Sequence, residues 1–157
     1  MKKSQVKSHY EIFGKSLPVA KIKDANTRKE IILLATSLSS KVNEIESQLQ
    51  EILKRLSDGH EEELQEWSAL MQKAKYDLNA SNEEKAECLE KANKMTEAVR
   101  INEEYSKTVE ELMNEEVDIN VHKVDIMVIF DALIDSGVLA DENTIDVVYN
   151  QFKDLIK

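Results

Sequence analysis

The chain has 157 residues, of which 33% are charged and 41% hydrophobic, with three glycines and one proline. That balance belongs to a long-helix protein, because helix interiors exclude Gly and Pro, and an aromatic content of 5% leaves too little for a large mixed α/β core. A formal net charge of −10 excludes nucleic-acid binding over the broad surface, which needs an excess of Lys and Arg.

The charge is unevenly spread. Residues 1–30 carry eight basic side chains against three acidic ones, +5 in all, which leaves −15 for the rest. The start, MKKSQVKSHYEIFGK, has no apolar run after its lysines and so does not read as a signal peptide. A solvated tail is the simpler expectation for so short a basic segment. Contact with phosphate or an acidic neighbour is the alternative. Residues 17–23, LPVAKIK, are expected as an edge strand, with Pro18 tolerated at its beginning.

The first strong pattern follows. Ile31, Ala35, Leu38, Val42, Ile45, Leu49, Ile52 and Leu56 recur at alternating spacings of four and three, an unbroken a/d seam about 39 Å long at about 1.5 Å per residue. Thr27, or Asp24 before it, suits the N-cap, and Gly59 the stop. A shorter amphipathic helix is expected over residues 61–79, where Leu64, Trp67, Met71, Ala74 and Leu78 share a stripe. Ser81 and Glu84 then form a capping box ahead of a second seam: Cys88, Ala92, Met95, Val99, Asn102, Ser106, Val109 and Met113. Ala98, Ile101, Tyr105 and Leu112 widen that stripe on one flank.

Equal seam lengths predict two long helices paired in an antiparallel coiled-coil hairpin, with the short helix at its tip. An up-down-up three-helix bundle is the alternative. Residues 117–121, VDIN followed by Val121, alternate as a half-buried strand should, and a hairpin would bring them beside the 17–23 strand. The apolar run from Ile126 to Ile134 predicts a buried helix ended by Ser136-Gly137. Asp141 or Asn143 starts a last helix with Ile145, Val148, Phe152 and Leu155 on one stripe. The expected fold is therefore mainly α: an antiparallel helical hairpin with a short tip helix and a small α+β head formed by both termini. Its parts are a basic N-terminal segment with edge strand (1–24), the hairpin (25–116, insert at 58–81) and a strand with a C-terminal helical pair (117–157).

Motifs that carry chemistry are scarce. His9, His60 and His122 each stand alone, without partners at metal-ligand spacing. Gly14, Gly59 and Gly137 build no phosphate loop. Residues 141–146, DENTID, loosely match a calcium loop but lack its fifth and twelfth ligands and its Gly, and read better as a helix start. The carboxylates Glu61, Glu62, Glu63 and Glu66 read as a solvated face, and Cys88, the only cysteine, as a small core residue on the seam. No catalytic, cofactor-binding or metal-ligating residues are assigned, and the chain is expected not to be an enzyme. Trp67, with Leu70 and Met71 beside it, either packs on the hairpin or anchors a protein partner.

The layout resembles small phage-encoded proteins that join a short N-terminal strand to a long helical hairpin, whose second helix runs into an acidic alternating strand. The residues that carry the resemblance are Leu17-Pro18-Val19-Ala20 and the stretch from Glu110 to Ile119, which includes ELMNEEVDI. It is also similar in layout to a prefoldin subunit. The seam points to a non-catalytic interaction or assembly protein, acting through its coiled coil and acidic surface; the resemblance adds a phage or mobile-element origin, with the host cytoplasm or the phage particle as its place. The seam positions Ile31, Leu38, Val42, Ile45, Leu49, Ile52, Leu56, Met95, Val99, Val109 and Met113 would carry helix association. Two other functions fit: an acidic nucleic-acid mimic that inhibits a basic host protein, and a prefoldin-like holdase. A protein partner is expected, with a homo-oligomer as one form of it; no membrane partner is, since no apolar stretch approaches about 18 residues.

Overall fold

The computed structural model describes residues 1–118, 120–139 and 145–157. The chain is mainly helical and divides into two compact units, one of Met1–Ser47 with Met113–Lys157 and one of Gln48–Leu112. Ile119 of the expected 117–121 strand, and the proposed helix starts Asp141 and Asn143, lie outside the described residues, as does most of the stretch compared with a calcium loop. No helix among the described residues is long and apolar enough to cross a membrane.

The first unit opens with helix α1 (Lys3–Tyr10). The basic N-terminus is thus no solvated tail. Val6, Lys3 and His9, spaced three apart, turn one face of α1 inward, and the Lys3 ammonium lies 2.7 Å from Glu115. The helix continues as one π-helical stretch, Glu11–Ser16, closed by the Leu17 N–H donating to the Ile12 carbonyl at 2.8 Å. A Cβ at Gly14 would meet the Tyr10 ring, so a larger residue there would need that ring to move.

The edge strand expected at 17–23 is not formed. Residues Val19–Lys21 make a 3₁₀ turn instead. Pro18 has no N–H to give a ladder, and the following amides are satisfied locally, Lys21 N–H by Pro18 O at 2.8 Å and Ile22 N–H by Val19 O at 3.1 Å. The turn also buries both Leu17 and Ile22. A strand would point residues five apart to opposite faces.

Helix α2 (Ala25–Ser57) begins where the Asp24 carboxylate accepts the Thr27 N–H at 2.6 Å. That bond holds the Asp24 carboxyl below the usual carboxylate range. In the first unit α2 buries Thr27, Ile31, Leu34, Leu38, Val42 and Ile45. These positions advance by about 3.6 residues each, the period of a straight amphipathic helix. Leu34 is buried where the heptad count expects Ala35, which is half-buried.

Helices α6 and α7 complete this unit. Helix α6 (Ile126–Ser136) is capped by the Asp125 side chain, which accepts the Met127 N–H, and is ended by Gly137 at φ 78°. Helix α7 (Ile145–Phe152) buries Val148 and Phe152, and a 3₁₀ turn (Lys153–Leu155) adds Leu155, so the expected terminal stripe faces the core. The head holds no strand among the described residues. Its β structure is two isolated bridges, Lys2 with Glu116 and Val124 with Ile156. The alternation read at 117–121 survives as burial, with Val121 inward and Asp118 and Asn120 outward. Its expected partner strand has coiled into the turn at Val19–Lys21.

Three polar contacts pin α2 and α6 to the connecting segments. The Lys23 N–H donates to Asp135 at 2.8 Å. The His122 imidazole Nε2 lies 2.8 Å from Glu30 Oε2, and the same residue's N–H reaches Ser37 Oγ at 3.1 Å. Through the imidazole contact the Glu30 carboxyl is held below its ordinary range.

The second unit contains the last turns of α2 with helices α3 (Glu61–Tyr76), α4 (Asn82–Lys94) and most of α5 (Thr96–Asn114). Gly59, at φ 78°, makes the turn out of α2. The Ser81–Glu84 capping box forms as the sequence predicts, with bonds of 3.2 and 2.7 Å. Helices α3 and α4 pack closely, and the buried residues there, Ala74, Cys88 and Ala92, are all small. Leu78, expected on the α3 stripe, falls past the helix end and is 94% exposed.

The second long helix is interrupted at Met95, which adopts φ −82° and ψ 77°. The break re-phases everything after it. Asn102 and Ser106, seam positions by heptad count, face water, whereas the flank residues Ala98 and Ile101 are buried. The amides freed at the new N-terminus explain how the break is tolerated: the Ala98 N–H donates to Glu63 Oε1 at 3.2 Å.

Candidate functional site

The interior of the second unit is thin. Its buried hydrophobic residues are Ala74, Cys88, Ala92, Ala98 and Ile101, and only the last is large. Leu49, Ile52, Leu56, Leu64, Trp67 and Val99 stay half-buried, and Leu53 is 44% exposed. A helix stripe that has found its partner is usually taken out of water, so these faces are only partly covered by the unit itself.

The uncovered surface gathers into a groove of about 430 Å³. Leu53 of α2, Leu64 and Trp67 of α3, and Ile101 and Tyr105 of α5 line it. Helical spacing explains the set: Ile101 and Tyr105 are four apart on α5, Leu64 and Trp67 three apart on α3. Glu61 is the charged residue of the lining. It also borders a second concavity of about 380 Å³ over the first turn of α3, formed with Gly59, His60, Glu62 and Glu63. Glu61 is thus common to the apolar groove and to this acidic concavity. Across this region the His60 ring lies 4.0 Å from Glu97, and Arg100 holds Glu97 and Glu104 at 3.0 and 2.9 Å.

Of the candidate partner contacts, Trp67 lines the groove, while Leu70 and Met71 are half-buried on the same helix outside its lining. Heptad counting passes over Leu53, which sits one position beyond Ile52 of the seam. Tyr105 belongs to the flank that widened the second stripe. Among the seam residues, Ile31, Leu38, Val42 and Ile45 are buried in the first unit and Met113 is half-buried there. Leu49, Ile52, Leu56, Met95, Val99 and Val109 are half-buried in the second.

The titratable groups elsewhere do not converge. Among the described residues no cluster of three or more His, Cys, Asp or Glu could hold a metal ion. His9 is buried in the first unit, 5.3 Å from the Phe152 ring, which also contacts Phe13 at 5.1 Å. Its Nε2 has no hydrogen-bond partner among the described residues. Burial lowers its pKa below 6.5, and the Asp154 charge offsets part of that shift. Cys88 is a buried free thiol on α4. Compared with protein-family models, curated proteins and solved structures, the chain matches none.

Proposed function

We propose that the chain is a non-catalytic interaction or assembly protein that works by helix association, with its partner covering the apolar faces of the second unit. The observation that carries this reading is the thin interior of Gln48–Leu112, where large side chains stop half-way to burial. Apolar surface contributes roughly 25 cal/mol per Å² when removed from water, so a protein surface laid over these side chains gains what the unit leaves unused. Within the same reading, α2 and the α4–α5 segment pair as an antiparallel hairpin along the heptad positions. The origin that fits the layout is a phage or mobile element. The partly buried seam in the second unit supports a role in which helices exchange or extend their contacts.

Light scattering after size-exclusion chromatography, on the full chain at low and high salt, tests it. A salt-independent oligomer, or a stoichiometric complex that survives purification, supports the reading. A monomer that gains no partner at either salt overturns it. A monomer that holds a basic protein only at low salt turns the assignment to an acidic inhibitor.

A further inference from the structure

We propose that the Trp67 groove takes an amphipathic helix of a protein partner, with large apolar side chains along one face and Lys or Arg at one end. The inference rests on the reading of the chain as an interaction protein and adds the chemistry of the occupant.

Shape and composition fix the apolar part. Three helices border the groove, and their side chains present a floor of Leu64, Trp67, Ile101 and Tyr105 with Leu53 standing at its edge. Grooves of this kind receive a helix through anchors spaced three and four apart. Trp67 and Tyr105 are wide, stiff side chains that lose little rotamer freedom on contact, which is why such residues dominate protein-binding surfaces.

Charge fixes the orientation and the sign. Glu61 lines both concavities, so an occupant of the apolar groove lies beside the acidic first turn of α3 that carries Glu61, Glu62 and Glu63. The Glu63 carboxylate is engaged with Ala98. Glu61 accepts only a long exposed bond from Gly59 at 3.3 Å among the contacts described for it, and Glu62 is exposed. Acidic residues in a first helical turn complement its N-terminus; that one of them, Glu61, also lines the apolar groove is the additional feature. Residues 48–112 together carry 16 acidic side chains against nine basic ones, a net −7. A second copy of this chain would bring the same sign to the contact, whereas a cationic helix brings the opposite one.

Trp67 is the only tryptophan, so its emission reports the groove directly. The probes are a synthetic amphipathic peptide of about 18 residues, roughly five helical turns, with Leu and Phe anchors and three terminal lysines, and a twin with glutamates in place of the lysines. The lysine peptide is expected to shift Trp67 emission saturably, at least tenfold more tightly than its twin. Glu61→Gln with Glu62→Gln is expected to weaken it roughly three- to tenfold, and added salt to narrow the gap. Leu53→Asp, at a position already 44% exposed, is expected to abolish saturable binding with helicity unchanged.

Equal binding of the two peptides, or binding of neither, overturns the proposal. So does a dimer that Leu53→Asp dissociates, which would make a second copy the occupant. If neither peptide binds and the chain still forms a stoichiometric complex insensitive to Leu53→Asp, the groove fails and the interaction reading stands. If neither peptide binds and no complex appears by light scattering, both readings fail.

Discussion

The Glu63 carboxylate accepts the backbone N–H of Ala98 at 3.2 Å, so a side chain in the first turn of α3 caps a helix that lies 35 residues further along the chain. The contact ties the start of α3 to the start of α5 and stabilises the break at Met95. Replacing Glu63 with Ala leaves an amide of α5 without its acceptor. A loss of about 0.5–2 kcal/mol is expected, the usual range for a helix cap, read as a lower urea midpoint. Glu62→Ala, one position away and exposed, should change the midpoint little. Equal effects from the two would mean that Glu63 is no cap.

Heptad counting treats Ile45 and Ile52 as equivalent, and the structure does not. Ile45 is 3% exposed in the first unit, whereas Ile52 is half-buried in the second. Ile45→Asp is expected to cost about 3–5 kcal/mol, because it leaves a charge unpaired in the interior. Ile52→Asp is expected to cost under about 1 kcal/mol, since its carboxylate can reach water. Denaturant unfolding of both variants checks the contrast, and similar losses would show that the seam is uniformly buried.

His9 makes the first unit sensitive to acid. Its folded-state pKa lies below 6.5, so the unfolded chain takes up a proton before the folded one does. By linkage, stability is held above about pH 6.5 and falls as the pH drops below it. Asp154 moderates the effect by favouring the imidazolium. His9→Phe removes the titration and the unpaired Nε2, and extends the ring contacts with Phe13 and Phe152. Urea midpoints at pH 7.5 and 5.5 should therefore differ less in the variant than in the parent. An unchanged difference would place the acid sensitivity elsewhere.

Lys3 is a buried ammonium, 5% exposed, against a Glu115 carboxylate whose side chain is 59% exposed. Glu115→Ala removes an acceptor from a charge that stays buried. It is expected to lower stability by about 1–2 kcal/mol, more than Glu116→Ala next to it. Thermal melts of the two variants at neutral pH decide the matter.

The features legible in the sequence were the local ones. The Asp24 and Ser81 caps, the Gly59 and Gly137 stops and the stripe of Val148, Phe152 and Leu155 all depend on residues within one or two turns of each other. Periodicity also located the long helical stretches. It failed where a distant group intervened. Nothing near Met95 announces a break, since the acceptor that makes it tolerable, Glu63, comes from another helix. The strand expected at 17–23 fails for a related reason: an edge strand needs a partner strand to pair with, and Pro18 favours a local turn. The groove was half legible. Trp67 stood out as the single tryptophan, but Leu53 lay off the seam and acquires meaning only once α3 and α5 border it.

The thin interior of residues 48–112 also bears on how long a copy of the protein survives. Segments that keep few side chains from water open readily, and proteases cut what opens. On the proposed reading, a chain whose partner is missing would be cleared first through this unit, and one whose groove is filled would be spared. Its abundance in the cell would then follow the supply of its partner, a form of stoichiometric control that needs no regulator beyond the incomplete core itself.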